Sequence, residues 1–206
     1  MYPESIEQKT RAVLEKIANK KFVLPFYLAG GTALAIHLGH RLSIDLDFFT
    51  PEVFSVSLVR GELAGLGSFR VTGESDDGTL NGILNDVQVS FFLYPYKNVY
   101  PLIHFEGIFL ADERDIAAMK IDAISTRGSK KDFVDLYFLL KKYSLREIIN
   151  FFEIRYHNVA YNRLHILKSL SYFENAEDDP LPIMLQKVAW QEVKHMITDE
   201  AKKLVT

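Results

Sequence analysis

The sequence predicts an α/β fold of the α+β kind: a mixed sheet flanked by helices, followed by a helical C-terminal half. Three observations predict it. Between Phe26 and Leu110 short apolar runs alternate with turn pairs such as Asp77-Gly78 and Asn85-Asp86, as in strands. From Asp112 onward apolar residues recur at three- and four-residue spacing, as in helices. Near the start, a double glycine is followed by an apolar run carrying two aspartates, Asp45 and Asp47. At 206 residues the chain fits one domain, or one with a helical appendage. We divide it into a core at 1–110 that includes an N-terminal helix, and a helical region at 111–206 packed on that core.

The elements follow in order. Residues 4–20 read as an amphipathic helix, with Ile6, Val13, Leu14 and Ile17 at helical spacing. Phe26, Tyr27 and Leu28 suit a buried strand. Thr32 reads as the N-cap of an apolar helix, Ala33–Leu38, which Gly39 stops. Ile44–Phe49 reads as a strand. Thr50-Pro51-Glu52 reads as a helix start, with Pro51 in a tolerated first-turn position and Gly65 at the end. Residues 69–74, 79–84 and 87–93 read as strands, 98–107 as a loop, and 107–110 as a short edge strand. Asp112 can cap a helix from Glu113 to Thr126. Further helices are expected at Lys131–Tyr143, Leu145–His157, Asn162–Phe173 and Ile183–Leu204.

Composition excludes several classes. Hydrophobic residues make up 48% and charged residues 25%, ordinary for a soluble globular chain. There is no cysteine, which removes disulfides, zinc-thiolate sites and cysteine nucleophiles. The N-terminal MYPESIEQKTRAVLEK lacks an apolar signal core, and no run reaches the length of a membrane span, so the expectation is a cytoplasmic protein without membrane contact. The net charge of −3 gives no general attraction to nucleic acid, so an RNA partner would need a local basic patch.

The chemistry concentrates in FYLAGGTALAIHLGHRLSIDLDFF, residues 26–49. Gly30, Gly31 and Thr32 sit at a strand-to-helix turn, where free N–H groups and the helix dipole favour phosphate. On a strand, Asp45 and Asp47 share one face while Ile44, Leu46 and Phe48 share the other. Two carboxylates beside a phosphate-binding turn can hold Mg²⁺, or Mn²⁺, carrying a nucleoside triphosphate. The plainer reading is a structural turn beside a solvated strand face paired with Arg41. His37 and His40 have no evident third ligand, and His37 reads as core-edge packing.

A second block, Met119–Leu136 (MKIDAISTRGSKKDFVDL), stands downstream in the order expected of one family. Together, GGTAL…LGHR-S-DLDFF and this block resemble the AbiEii/AbiGii toxin branch of the nucleotidyltransferase (polymerase-beta-like) superfamily, over residues 22–145. The resemblance implies a nucleotidyltransferase-type sheet and Mg²⁺-dependent transfer of a nucleoside monophosphate from an NTP to a hydroxyl of RNA, such as a tRNA end, or of a protein. It implies a toxin of a toxin–antitoxin or abortive-infection system, with a cognate antitoxin, often a DNA-binding regulator. It places Lys120 on the nucleotide phosphates, with Arg127 and Lys131 beside it. It makes Asp132 or Asp135 a supporting or catalytic group, with Asp135 favoured, beside the metal ligands Asp45 and Asp47. Lys130 and Lys131 could also meet the triphosphate or an RNA backbone.

The sequence departs from the family at one point. A third carboxylate is usual on a later strand, where this chain has Asn85-Asp86-Val87-Gln88-Val89-Ser90-Phe91-Phe92. Serine stands in the acidic position, and Asp86 would lie about 13 Å away along an extended strand. A neutral serine is a poor proton acceptor, so the residues predict nucleotide binding with slow transfer unless another acid serves. The second reading is therefore a catalytically weakened nucleotide- or partner-binding protein of the same fold.

Overall fold

A computed structural model describes residues 1–204; Val205 and Thr206, the end of the expected helical half, lie outside the described residues. Its strands are β1 (Tyr27–Leu28), β2 (Leu46–Thr50), β3 (Phe69–Ser75), β4 (Thr79–Leu84), β5 (Val87–Leu93), β6 (Ile103–Phe105) and β7 (Ile108–Leu110). Its helices are α1 (Gln8–Ala18), α2 (Gly30–Leu38), α3 (Val56–Ala64), α4 (Glu113–Thr126), α5 (Lys130–Leu140), α6 (Leu145–Arg155), α7 (Arg163–Ser169), α8 (Glu174–Glu177) and α9 (Trp190–Lys203). The fold is the expected α/β one, a mixed sheet ordered β3-β4-β5-β2-β1-β7-β6 with helices around it. The pairs β2–β5 and β1–β7 are parallel and the others antiparallel.

Strand alternation sorts the side chains. Leu46 and Phe48 of β2, Val89 and Phe91 of β5 and Leu80 of β4 are fully buried on one face. There α1 packs against β5, and α3 against β3 and β4. Phe91 is the hub: its ring stacks on Phe48 at 4.9 Å and meets Phe26 edge-on at 5.0 Å. The opposite face carries Asp47, Phe49, Ser90 and Phe92, and leaves a cleft toward α4. The β4–β5 turn has Asn85 at φ +48° and Asp86 at φ +66°, the two positive values that a tight hairpin turn requires. Beyond the sheet, α4 packs against α2, α5, α6 and α7. Among the described residues no helix is long and apolar enough to cross a membrane.

Several element boundaries differ from expectation. The N-terminal helix begins only at Gln8, after a 3-10 turn at Pro3–Ser5. Thr32 is not an N-cap: α2 starts at Gly30 behind Ala29, and the Thr32 hydroxyl turns to the Asp45 carbonyl and to Ser43 Oγ at 2.8 Å. Thr50 does not begin a helix because it completes β2, pairing with Leu93; α3 starts later, where the Ser55 hydroxyl caps Leu58 N–H. The expected loop at 98–107 contains strand β6, and β6 rather than β7 forms that edge of the sheet. The last helix begins at Trp190 because residues 180–189 instead follow the end of α2, with Leu42 N–H donating to Ile183 O and Leu185 N–H to His40 O. Asp112 caps α4 as expected, accepting from Arg114 N–H at 3.0 Å.

The Phe91 cluster yields a stability test. Phe91→Ala removes a fully buried ring and is expected to cost about 3–5 kcal/mol. Val53→Ala, at an 88% exposed position, is expected to stay within about 0.5 kcal/mol. Urea denaturation of both variants checks this.

Candidate active site

The site is a cleft of about 920 Å³ between the polar face of the sheet and α4. Its floor is the start of α2, with Gly30, Gly31 and Thr32, together with Asp45, Asp47, Ser90, Asn81 and Gln88 from the sheet side. Its opposite wall is Met119, Asp122, Ala123 and Thr126, one helical stripe of α4, with Lys120 and Arg127 beside it. Lys131 and the 179–183 segment close the rim.

The start of α2 is uncapped. Ala29 at the N-cap has no side-chain acceptor, so the first-turn N–H groups receive no cap from it. Gly30 takes φ +67°, a left-handed conformation that favours glycine, and a Cβ added there would stand 3.6 Å from Asp47 Oδ2. The Asp47 carboxylate therefore lies against the turn. Thr32 is 3% exposed, and its hydroxyl pins the Asp45 backbone. Asp45 precedes β2 rather than lying within it, and Ile44 is 52% exposed at the cleft instead of packing inward. Parallel pairing sets Asp47 directly beside Ser90, and the Ser90 hydroxyl donates to the Asp47 carboxylate. Asn81 follows next to Ser90 in the same row. Asp86 sits in the exposed β4–β5 turn, outside the cleft lining.

Behind the cleft lies a buried ion cluster. Asp132 accepts from Lys120 Nζ at 2.9 Å, from Arg127 Nε at 2.8 Å and Nη2 at 2.9 Å, and from Ser129 Oγ at 2.6 Å. Asp135 accepts from Arg41 Nε at 2.7 Å and Nη2 at 3.1 Å and meets His40 Nε2 at 2.7 Å and Lys120 Nζ at 2.6 Å. Thus Lys120 and Arg127, seven residues apart on one face, do converge, and their common partner is Asp132. Lys130 does not face the cleft: it is buried and donates to the Glu177 and Asp179 carbonyls, whereas Lys131 is exposed at the rim. Asp135 is fully buried and does not line the cleft, with each oxygen already engaged.

The two groups of carboxylates are in opposite electrostatic states. Burial works against the Asp135 anion, but Arg41 and Lys120 outweigh it and hold its carboxyl well below the usual range. Asp132 is likewise depressed against burial by Lys120 and Arg127. For Lys120, burial would lower the ammonium, and Asp132 and Asp135 reverse that to a net rise. His40 is pushed down by burial, so it is neutral at pH 7. Asp47 goes the other way: burial and then the Asp45 charge raise it, and the Ser90 hydrogen bond, Lys131 and Lys120 only partly offset the rise. No described cation forms a salt bridge with Asp45 or Asp47. This pair, without a salt bridge and only partly offset by nearby cations, fits a divalent cation, whose hard charge would remove the repulsion. Among the described residues no group of three or more His, Asp or Glu is arranged to hold a metal, so further ligands would come from substrate or water.

Asp122 was not singled out in the sequence. Its signal was the 119-122-123-126 spacing, which puts it on one face of α4, away from buried Ile121 and Ile124.

Comparison with known proteins agrees with this geometry. The sequence model of the family described as "Nucleotidyl transferase AbiEii toxin, Type IV TA system" matches residues 12–87 and 97–203. An uncharacterized Aquifex aeolicus protein is 38% identical over 208 residues, covering 96% of this chain and 97% of its own. Several solved structures share the fold. JHP933 from Helicobacter pylori is 18% identical with a TM-score of 0.54, covering 95% of this chain and 90% of its own. MenT4, a nucleotidyltransferase toxin from Mycobacterium tuberculosis, is 15% identical with a TM-score of 0.55, covering 95% and 86%.

The ion cluster makes a pH prediction. Asp132 and Asp135 have folded pKa values below the unfolded value of about 3.9. Their contribution is therefore fully present above about pH 4 and is lost as pH falls through the folded values. Asp135→Asn should cost about 3–5 kcal/mol at pH 7, because it leaves Arg41 and Lys120 partly unpaired. The gap to wild type should narrow below about pH 4. Denaturant titrations of both proteins from pH 3 to pH 7 measure it.

Proposed function

The chain belongs to the AbiEii nucleotidyltransferase toxin family, and from that premise we propose that its cleft binds an NTP with Mg²⁺ and transfers the nucleoside monophosphate to a hydroxyl of RNA. One observation carries the reading: an uncapped helix start and a carboxylate pair without a salt bridge meet in one cleft. The first suits a triphosphate and the second suits the cation that accompanies it.

In this reading Gly30, Gly31 and the Thr32 backbone cradle the triphosphate, and Asp45 and Asp47 hold Mg²⁺ or Mn²⁺. A bound divalent ion would polarise the phosphoryl oxygens and offset the charge of the leaving pyrophosphate. Lys131 and Arg127, which stand at the rim and wall of the cleft, meet phosphates. Lys120 lines the cleft while salt-bridged to Asp132 and Asp135, so it sets a positive wall from a fixed position. Asp135 acts as a positioning residue through Arg41 and Lys120, since its engaged, depressed carboxylate is a weak proton acceptor. The attacking hydroxyl oxygen bonds to the α-phosphorus as the bond to the β-phosphate bridge breaks, releasing pyrophosphate. A cognate antitoxin is the partner implied by the family.

The reading of a weakened, binding-only protein is favoured by one observation, Ser90 beside Asp47 where a third carboxylate is usual. Incubation with each α-labelled NTP, Mg²⁺ and total RNA, followed by a gel, tests both. Label on RNA with one NTP supports transfer. Label on a protein added in a parallel arm would move the acceptor to a protein hydroxyl. NTP binding with no label transferred would support the binding-only reading.

Asp47→Asn gives a two-sided prediction. It should abolish Mg²⁺-dependent NTP binding in calorimetry. Because the folded pKa of Asp47 is raised, ionisation at neutral pH opposes folding, so the same substitution should raise the melting temperature of the metal-free protein. Mg·NTP should raise the melting temperature of wild type but not of this variant. Unchanged Mg·NTP affinity in Asp47→Asn would place the metal elsewhere.

A further inference from the structure

Four carboxylates line the cleft: Asp45, Asp47, Asp122 and Asp179. Resting on the transfer reading above, we infer that Asp122 is the proton acceptor for the attacking hydroxyl.

The assignment follows from what each acid already does. Asp45 and Asp47 form the carboxylate pair at the glycine turn. Asp179 accepts the Lys130 N–H at 2.9 Å at the start of α5. Asp132 and Asp135 belong to the ion cluster and are absent from the lining. Among the described residues, Asp122 is the one acid that lines the cleft outside the metal pair with a carboxylate that accepts no hydrogen bond; Ser125 and Thr126 donate only to its main-chain carbonyl. Other polar groups on the walls are poor acceptors. The Ser90 hydroxyl is committed to Asp47, and the Tyr94 hydroxyl is paired with Tyr156 at 2.5 Å.

Position and environment support the role. Asp122 is half-buried on α4, on the wall facing β2 and β5. Arg127, bonded to Asp132, lines the cleft beside Asp122, and its charge acts on both Asp122 and Asp47. Burial raises the Asp122 carboxyl above its usual value, only partly offset by Arg127, which makes it a better base than a solvated carboxylate.

The step balances. The hydroxyl oxygen forms its bond to the α-phosphorus, its proton passes to Asp122 Oδ, and the electron pair of the breaking P–O bond leaves with pyrophosphate. The sheet then need not supply a third carboxylate, and Ser90 is compatible with full transfer.

The test is single-turnover transfer from the α-labelled NTP with Mg²⁺ and total RNA, using wild type, Asp122→Asn, Asp122→Glu and Ser90→Asp. Mg·NTP affinity and melting temperature are measured for each. Asp122→Asn is expected to slow transfer about 10²–10⁴-fold with affinity unchanged and with a melting temperature no lower than that of wild type, since the Asp122 carboxyl is raised in the folded chain. Asp122→Glu should recover part of the rate, and Ser90→Asp should bring no gain. Transfer by Asp122→Asn within about threefold of wild type would overturn the assignment while leaving the transfer reading intact, given the expected size of a lost base. Loss of Mg·NTP affinity in Asp122→Asn would make Asp122 a ligand instead, and a rate gain in Ser90→Asp would show that the base was missing. A wild type that binds NTP but transfers nothing would overturn both readings.

Discussion

The geometry of the cleft depends on the buried ion cluster around Asp132 and Asp135. Its members come from three places: His40 and Arg41 from the loop after α2, Lys120 from α4 with Arg127 just beyond it, and Asp132 and Asp135 from α5. Arg41 is the pivot. It is 5% exposed, donates twice to Asp135, and also reaches Leu42 O and Ser43 Oγ. Its guanidinium lies so close to the start of α2 that a Cβ on Gly31 would stand 2.2 Å from Nη2. Gly31 is thus needed for close approach as much as for any ligand. A buried ion pair adds little stability over a well-packed apolar substitute, yet losing one partner is costly. The cluster is better understood as a registration device, locking the α2 turn, α4 and α5 in one arrangement.

Charge is divided unevenly across the cleft. The cluster holds three cations, Lys120, Arg41 and Arg127, against two carboxylates, and His40 is neutral. One positive charge is left over within the cluster, beside Asp122 on the same wall. Across from it, Asp45 and Asp47 are close in sequence and have no salt-bridge partner among the described residues. Local instability of this kind marks a site prepared for a ligand, since nothing in the folded chain itself gains from it. In the proposed reading a triphosphate with its cation would bring both signs at once, each to a wall already in place.

Much of this was legible in the sequence because local chemistry decided it. Period-two alternation placed Leu46, Phe48 and Asp47 on their faces, and the turn pairs Asp77-Gly78 and Asn85-Asp86 bounded β4. Tertiary pairing overrode local signals elsewhere. Thr50-Pro51-Glu52 has the composition of a helix start, but the ladder with Leu93 claims Thr50 for β2. Thr32 has the side chain of an N-cap, but the Asp45 carbonyl is a nearer partner. The Arg41–Asp135 pair spans 94 residues, and no local pattern announces it. Asp122 was overlooked for a different reason. It stands two residues from a lysine that the family resemblance made prominent, and only the shared stripe with Met119, Ala123 and Thr126 shows that it faces the cleft.

Why a serine can stand beside Asp47 follows from the same electrostatics. Asp47 is already raised by burial and by Asp45, and its main short-range relief is the hydrogen bond from Ser90. A carboxylate in place of Ser90 would remove that donor and add a third like charge in the same half-buried row, where Asn81 on the next strand offers no formal charge. The sheet face is consequently better suited to holding a cation with two carboxylates than to holding a proton acceptor as well. A base on α4 escapes that conflict. Asp122 stands on α4, across the cleft from Asp45 and Asp47, so its charge does not accumulate on β2 and β5. In the proposed reading, dividing metal ligands and base between sheet and helix reconciles the serine beside Asp47 with transfer.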